Sequence, residues 1–335
     1  MSSRIITALI LVLFLSACSA IFPDMRNLSQ ENGTARSVFP WEIISGGIEG
    51  DKWSGFAEFR LIRPVAVAAR GNDVYIVDAG NDQLYYYDRV RSNLTLFKDL
   101  RTVVKGEVTD LFLATDLSLY LADADAGRVL HFDRDGNLIR VFHDPVNLGR
   151  PVAVSVDDAS GYVYIADGFN DDVLIYNAAG RLQGAIGTRG DENGEFRGVT
   201  GMSQGPEGFY VATRFGRHRV QVMAESGVYK SSFQKDTLTF PLAIAVDDSG
   251  LSFVADYHDN SIKVYQGDRL LETIGGSGAG PGRFKRITDL WLDDGLLYVA
   301  DSLNGRVQVL RVVHDAVSEV SETQEVPETP EVPAQ

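Results

Sequence analysis

The chain has 335 residues, more than the roughly 250 to 300 at which one hydrophobic core stops growing, so it is built either as two domains or from repeated modules. With 31 basic and 46 acidic side chains its formal net charge is -15, which argues against an electrostatic grip on nucleic-acid phosphates or on an anionic membrane surface. The single cysteine, Cys18, excludes an internal disulfide framework and any CxxC metal or redox pair.

The chain opens with MSSRIITALILVLFLSACSA, in which Arg4 precedes an apolar run from Ile5 to Leu15 that is too short to span a bilayer comfortably. Residues 1–17 therefore read as a secretion signal. The run ends in Leu15-Ser16-Ala17-Cys18, which resembles a bacterial lipobox. That resemblance implies lipidation of Cys18 and an anchor in the cell envelope, and Ser19 after the cysteine implies the outer membrane. Residues 18–38 are polar and turn-rich and are expected to be a flexible tether.

From 39 to 314 the apolar residues alternate with period two and are broken every few residues by Gly, Asn and Asp, as in GYVYIADGFNDDVLIYNAAG. No stretch of helical length carries a sustained apolar stripe, so an all-β domain is expected. Six copies of one phrase occur: VYIVD ending at Asp78, LYLAD at Asp123, VYIAD at Asp167, FYVAT at Thr213, SFVAD at Asp256 and LYVAD at Asp301. They are separated by 45, 44, 46, 43 and 45 residues, the length of one four-stranded propeller blade with its turns. Each copy follows an apolar strand (RPVAVAA, VTDLFLA, RPVAVSV, VTGMSQG, FPLAIAV, ITDLWLD) and precedes another (QLYYYD, RVLHFD, DVLIYN, RVQVMA, SIKVYQ, RVQVLR).

The Val-Ala-Asp strand end, the Gly-Arg-Val at Gly127-Arg128-Val129 and Gly305-Arg306-Val307, and the linkers GTRGDENGEF and GGSGAGPGRFKR resemble the NHL-repeat β-propellers across essentially all of the repeat region. The resemblance implies a six-bladed β-propeller with four-stranded blades. The last repeat stops after three strands near Val313, and an open edge would invite aggregation, so Phe39 to Ser45 is expected to complete the final blade, with Trp41 or Ile43 packed there. Residues 315–335 form an acidic, Pro-rich tail that cannot bury enough surface to fold.

A carboxylate repeated at five of six strand ends is a turn-former, so function is sought where the repeats disagree. If the first strand of each blade leaves one face, the second returns to it, and first-strand starts share that face with the loops after each strand-end Asp. Arg63, Asp110, Arg150 and Asp289 break the pattern at the strand starts, and the loops add Phe169, Arg214, Arg217, His218, Tyr257 and His258. These residues are the candidate ligand-binding mouth. The competing expectation is that Arg63 pairs with Asp110, or Arg150 with Asp289, across blades.

Two functions remain open. One is an envelope-anchored binding or scaffold module, monomeric, whose mouth face meets a protein, peptide or glycan and no nucleic acid. The other is a metal-dependent hydrolase or lyase in the channel, as six-bladed relatives in shape include such enzymes. The related lyases place metal-binding histidines just after the Pro that opens a first strand, where this chain has Val65, Val152 and Leu242, and its own His131, His143, His218, His258 and His314 are dispersed. Calcium at Asp110 and Asp289 is the remaining metal option, with two carboxylates set against the six to eight oxygens that ion prefers.

Overall fold

Alternating apolar residues put one face of each strand toward each neighbouring sheet, and six such sheets arranged radially bury both faces. The computed structural model describes residues 38–51, 55–233 and 236–313. It holds six four-stranded antiparallel sheets, with a small hairpin of Gly46–Asp51 and Gly55–Arg60 between the closing strand and the first blade. The inner strands are Pro64–Arg70, Val108–Leu113, Pro151–Asp157, Val199–Gly205, Pro241–Val246 and Ile287–Asp293. Each packs on the next, and the last packs on the first, so the ring is a six-bladed β-propeller. One cluster of buried apolar side chains fills each of the six wedges between blades.

The ring closes as expected, by Val38–Ile44 pairing antiparallel with Arg306–Val312. The anchoring residues differ from expectation. Trp41 is 47% exposed and Ile43 is only partly buried, whereas Val38 and Ile44 are fully buried. The register slips between Pro40 and Glu42, leaving Trp41 as the extra residue of a bulge, where it lies against the Arg311 guanidinium at 4.8 Å. A one-residue slip reverses which face a side chain takes. Val38 therefore enters the wedge between the fifth and sixth blades, and Ile44 the wedge between the sixth and first. Val38, expected to end the tether, thus begins the closing strand. Cys18, the signal, the rest of the tether, His314 and the acidic tail lie outside the described residues.

The strand-end aspartates are fully buried staples. Asp78 accepts the amides of Ile62 and Arg63 at 2.7 Å each, tying its turn to the linker that enters its own blade. Asp167 does the same for Gly149 and Arg150, and Asp256 for Thr239 and Phe240. In two blades an arginine also pairs with the strand-end carboxylate, Arg128 with Asp123 and Arg306 with Asp301. In the fourth blade, where the repeat has Thr213, the staple comes from its neighbour: Asp171, in the loop of the third blade, accepts the amides of Gly198 and Val199 at 2.7 and 3.0 Å.

Candidate functional site

Every inner strand carries a bulge after its first residue, at Val65, Thr109, Val152, Thr200, Leu242 and Thr288. The sequence around it alternates between blades: Pro-Val/Leu-Ala in the first, third and fifth, Val/Ile-Thr-Asp/Gly in the second, fourth and sixth. The threonines cross the wedge. Thr109 and Thr200 donate their hydroxyls to the carbonyls of Pro151 and Pro241 at 2.9 Å, and Thr288 to that of Pro64 at 3.5 Å.

Two rings of side chains result, and this corrects the expectation that Arg63, Asp110, Arg150 and Asp289 are equivalent. The rim ring is Arg63, Glu107, Arg150, Gly198, Phe240 and Arg286, each directly before its inner strand. The deeper ring, just after the bulge, is Ala66, Asp110, Ala153, Gly201, Ala243 and Asp289. Arg63 and Arg150 therefore do not pair with the two aspartates. Arg150 pairs with Glu107 at 2.7 Å and Asp125 at 2.5 Å, and among the described residues the Arg63 guanidinium reaches only the Ala79 carbonyl, at 3.4 Å.

At the fourth rim position Gly198 has φ +69, and a Cβ there would meet the Phe215 ring at 2.7 Å. The space belongs to Arg214 and Phe215 from the following loop. The Arg214 guanidinium lies over Phe240 at 4.3 Å and Phe215 at 4.8 Å, contacts that hold it at the mouth. Arg286 stands 5.8 Å over the Tyr257 ring. Among the described residues, Arg63, Arg214 and Arg286 have no carboxylate partner.

Asp110 and Asp289 face the channel from the second and sixth blades, on either side of the first. Each also reaches one blade onward: Asp110 accepts the Val154 amide at 2.6 Å, and Asp289 that of Val67 at 2.8 Å together with its neighbour Leu290. They are part of the interblade scaffold, which the sequence did not reveal. Burial pushes the Asp110 carboxyl up to about 7, against the lowering effect of the Val154 and Leu111 amides. Asp289 is raised well above the usual carboxylate range, first by burial and then by the charge of Asp110. The pair resists holding two negative charges together.

The channel is a cavity of about 770 Å³ reached by Arg63, Asp110, Arg150, Arg214 and Asp289. Between the two rings its walls alternate Val65, Val152 and Leu242 with Thr109, Thr200 and Thr288, Met202 lies deeper, and at its far part Trp291 packs edge-on against Phe112 at 5.3 Å. The other predicted residues stand off it. Phe169 is 64% exposed on the mouth face, Tyr257 packs edge-on against Phe240, and His258 is exposed beside it. His218 is held low by burial and turns toward Tyr229 rather than the channel. The sequence reading missed Glu107, Asp125, Phe215, Phe240 and Arg286. A strict alignment on the bulge, counting Arg63 against Arg286, would have found the last.

Calcium fits the donor set poorly. Among the described residues no group of three or more His, Cys, Asp or Glu side chains comes together, and Asp110 and Asp289 already accept backbone amides.

No protein-family model and no curated protein matches the chain. Solved structures share its fold. A streptogramin B lyase superposes with a TM-score of 0.57 at 10% identity, covering 74% of this chain and 93% of its own. Virginiamycin B lyase from Staphylococcus aureus superposes at 0.59 and 11%, covering 81% and 99%. XC5397 from Xanthomonas campestris, described as a gluconolactonase, superposes at 0.59 and 13%, covering 82% and 97%. At these identities the likeness defines the architecture, a six-bladed β-propeller.

Proposed function

We propose that the protein is an NHL-type propeller lipoprotein, anchored in the bacterial cell envelope through Cys18 and binding an envelope protein, peptide or glycan at the mouth of its channel. The observation that carries this reading is the rim: three guanidiniums without carboxylate partners among the described residues open onto a cavity of about 770 Å³ in a protein of net charge -15. Exposed Ile62, Phe169, Phe215 and Leu303 surround them, giving apolar contact beside charge. The anchor is tested by fractionating cells that carry Cys18→Ser. Release of the variant into the soluble fraction supports it, and retention in the membrane as firm as that of the unmodified chain refutes it. The mouth is tested by placing a photo-crosslinking amino acid at Phe215 and, as a control on another surface, at Val90. A discrete adduct from Phe215 alone supports the reading, and equal labelling from both positions overturns it.

A further inference from the structure

The channel presents guanidiniums at its rim and, deeper, two carboxyls whose ionisation burial opposes unless a cation joins them, and among the described residues neither set has enough oppositely charged side chains to balance it. At the rim, Arg150 is neutralised by Glu107 and Asp125, but Arg63, Arg214 and Arg286 are not. The Arg214 guanidinium lies over Phe240 and Phe215, and neither ring accepts a conventional hydrogen bond from its N–H groups, which remain for a partner. A planar fork of donors suits a carboxylate or phosphate oxygen pair. Deeper in, among the described residues, Asp110 and Asp289 meet only backbone amides and no Lys or Arg. Each carboxylate has about four acceptor sites, so sites remain for a donor entering from the channel.

We propose that the channel takes a bipolar ligand, with an anionic group gripped by Arg63, Arg214 and Arg286 and an ammonium group set against Asp110 and Asp289. The inference rests on the mouth being a binding face and adds the chemistry of what enters it. The two rings are three residues apart along the inner strands, but the bulge between them takes up one of those steps, so they stand about 7 Å apart at strand rise. The wall between them alternates Val65, Val152 and Leu242 with Thr109, Thr200 and Thr288, whose hydroxyls are bonded to the next blade, so the spacer between the charges is a short hydrocarbon or peptide backbone. Orientation follows from repulsion, because an ammonium is unfavourable beside three arginines and an anion beside two carboxyls.

The test titrates the full-length protein calorimetrically with 6-aminohexanoate, hexanoate and hexylamine. We expect 6-aminohexanoate to bind about tenfold or more tightly than either single-ended probe, equivalent to about 1.4 kcal/mol. Arg63→Gln with Arg286→Gln should bring it down to the level of hexylamine, and Asp110→Asn with Asp289→Asn to that of hexanoate, with thermal melts confirming that each variant is folded. If the aspartate variant does not fold, the comparison of the three probes on the unmodified chain decides. Hexanoate binding as tightly as 6-aminohexanoate overturns the assignment of Asp110 and Asp289, hexylamine doing so overturns the rim, and no saturable binding of any probe overturns the bipolar ligand. Crosslinking from Phe215 is read independently, so a failed probe with a surviving adduct rejects this inference and leaves the binding face standing.

Discussion

Asp289 in the last blade accepts the backbone amide of Val67 in the first at 2.8 Å, so the seam of the ring is tied near its axis by a carboxyl whose ionisation burial opposes. Asp110 repeats the arrangement one wedge further on, toward Val154. Both groups are useful as hydrogen-bond acceptors and costly as charges, and the two properties separate on titration.

Below about pH 4 the two carboxyls are protonated in the folded and the unfolded chain alike, and pH has no leverage through them. Above that, the unfolded chain releases its protons while the folded chain retains them, so stability falls as pH rises until the folded carboxyls ionise, Asp110 near 7 and Asp289 above the ordinary range. Asp289→Asn keeps an acceptor for Val67 and removes the charge. It should be more stable than the unmodified chain at pH 8 by about 1 to 3 kcal/mol, with little difference at pH 4. Melting curves at the two pH values check this. Parallel behaviour of the two proteins would show that Asp289 is ionised without penalty.

The blade count and the ring closure were legible because one phrase returns every 43 to 46 residues and the last copy lacks a strand. What stayed hidden depends on bulges. A bulge adds a residue without changing the residue types around it, so Trp41 looked like the natural anchor of the closing strand and Asp110 looked equivalent to Arg63. The borrowed staple was hidden for another reason: Asp171 stands in for the missing carboxylate at Thr213 from a different repeat, and periodicity compares like positions only.

That borrowed staple gives the second prediction. Asp171 is buried and holds the amides of Gly198 and Val199 while pairing with Arg189 at 2.9 Å. Asp171→Ala leaves the amides without their acceptor and should cost about 2 to 4 kcal/mol. Adding Thr213→Asp puts a strand-end carboxylate where the other five blades have one, in three of which it takes two linker amides, and should recover more than half of the loss. Denaturant titration of the single and double variants measures it, and a double variant no better than Asp171→Ala would reject the substitution of one staple for the other.

The threonine bridges offer a graded set. Thr109→Val and Thr200→Val each remove a 2.9 Å bond to the next blade and should cost about 1 kcal/mol. Thr288→Val should cost less, because its hydroxyl stands 3.5 Å from the Pro64 carbonyl, at the limit of a hydrogen bond. Equal losses at all three sites would mean that the methyl packing of the threonines, and not the bridge, sets their contribution.

The closing strand separates burial from size. Ile44 is 2% exposed and packs in the wedge shared by the sixth and first blades, where truncation opens a cavity among Val67, Tyr298 and Val307. Ile44→Ala should therefore cost about 2 to 5 kcal/mol, the range for a buried isoleucine whose surroundings relax only partly. Trp41 is the larger side chain, but it sits on the bulge, about half exposed, and contributes mainly its contact with Arg311. Trp41→Ala should cost about 1 kcal/mol or less. The order of the two losses in a thermal or urea melt is the readout. If Trp41→Ala proves the more damaging, the bulge between Pro40 and Glu42 is not where the chain changes face, and the closing strand runs in the unbroken register that buries Trp41 instead.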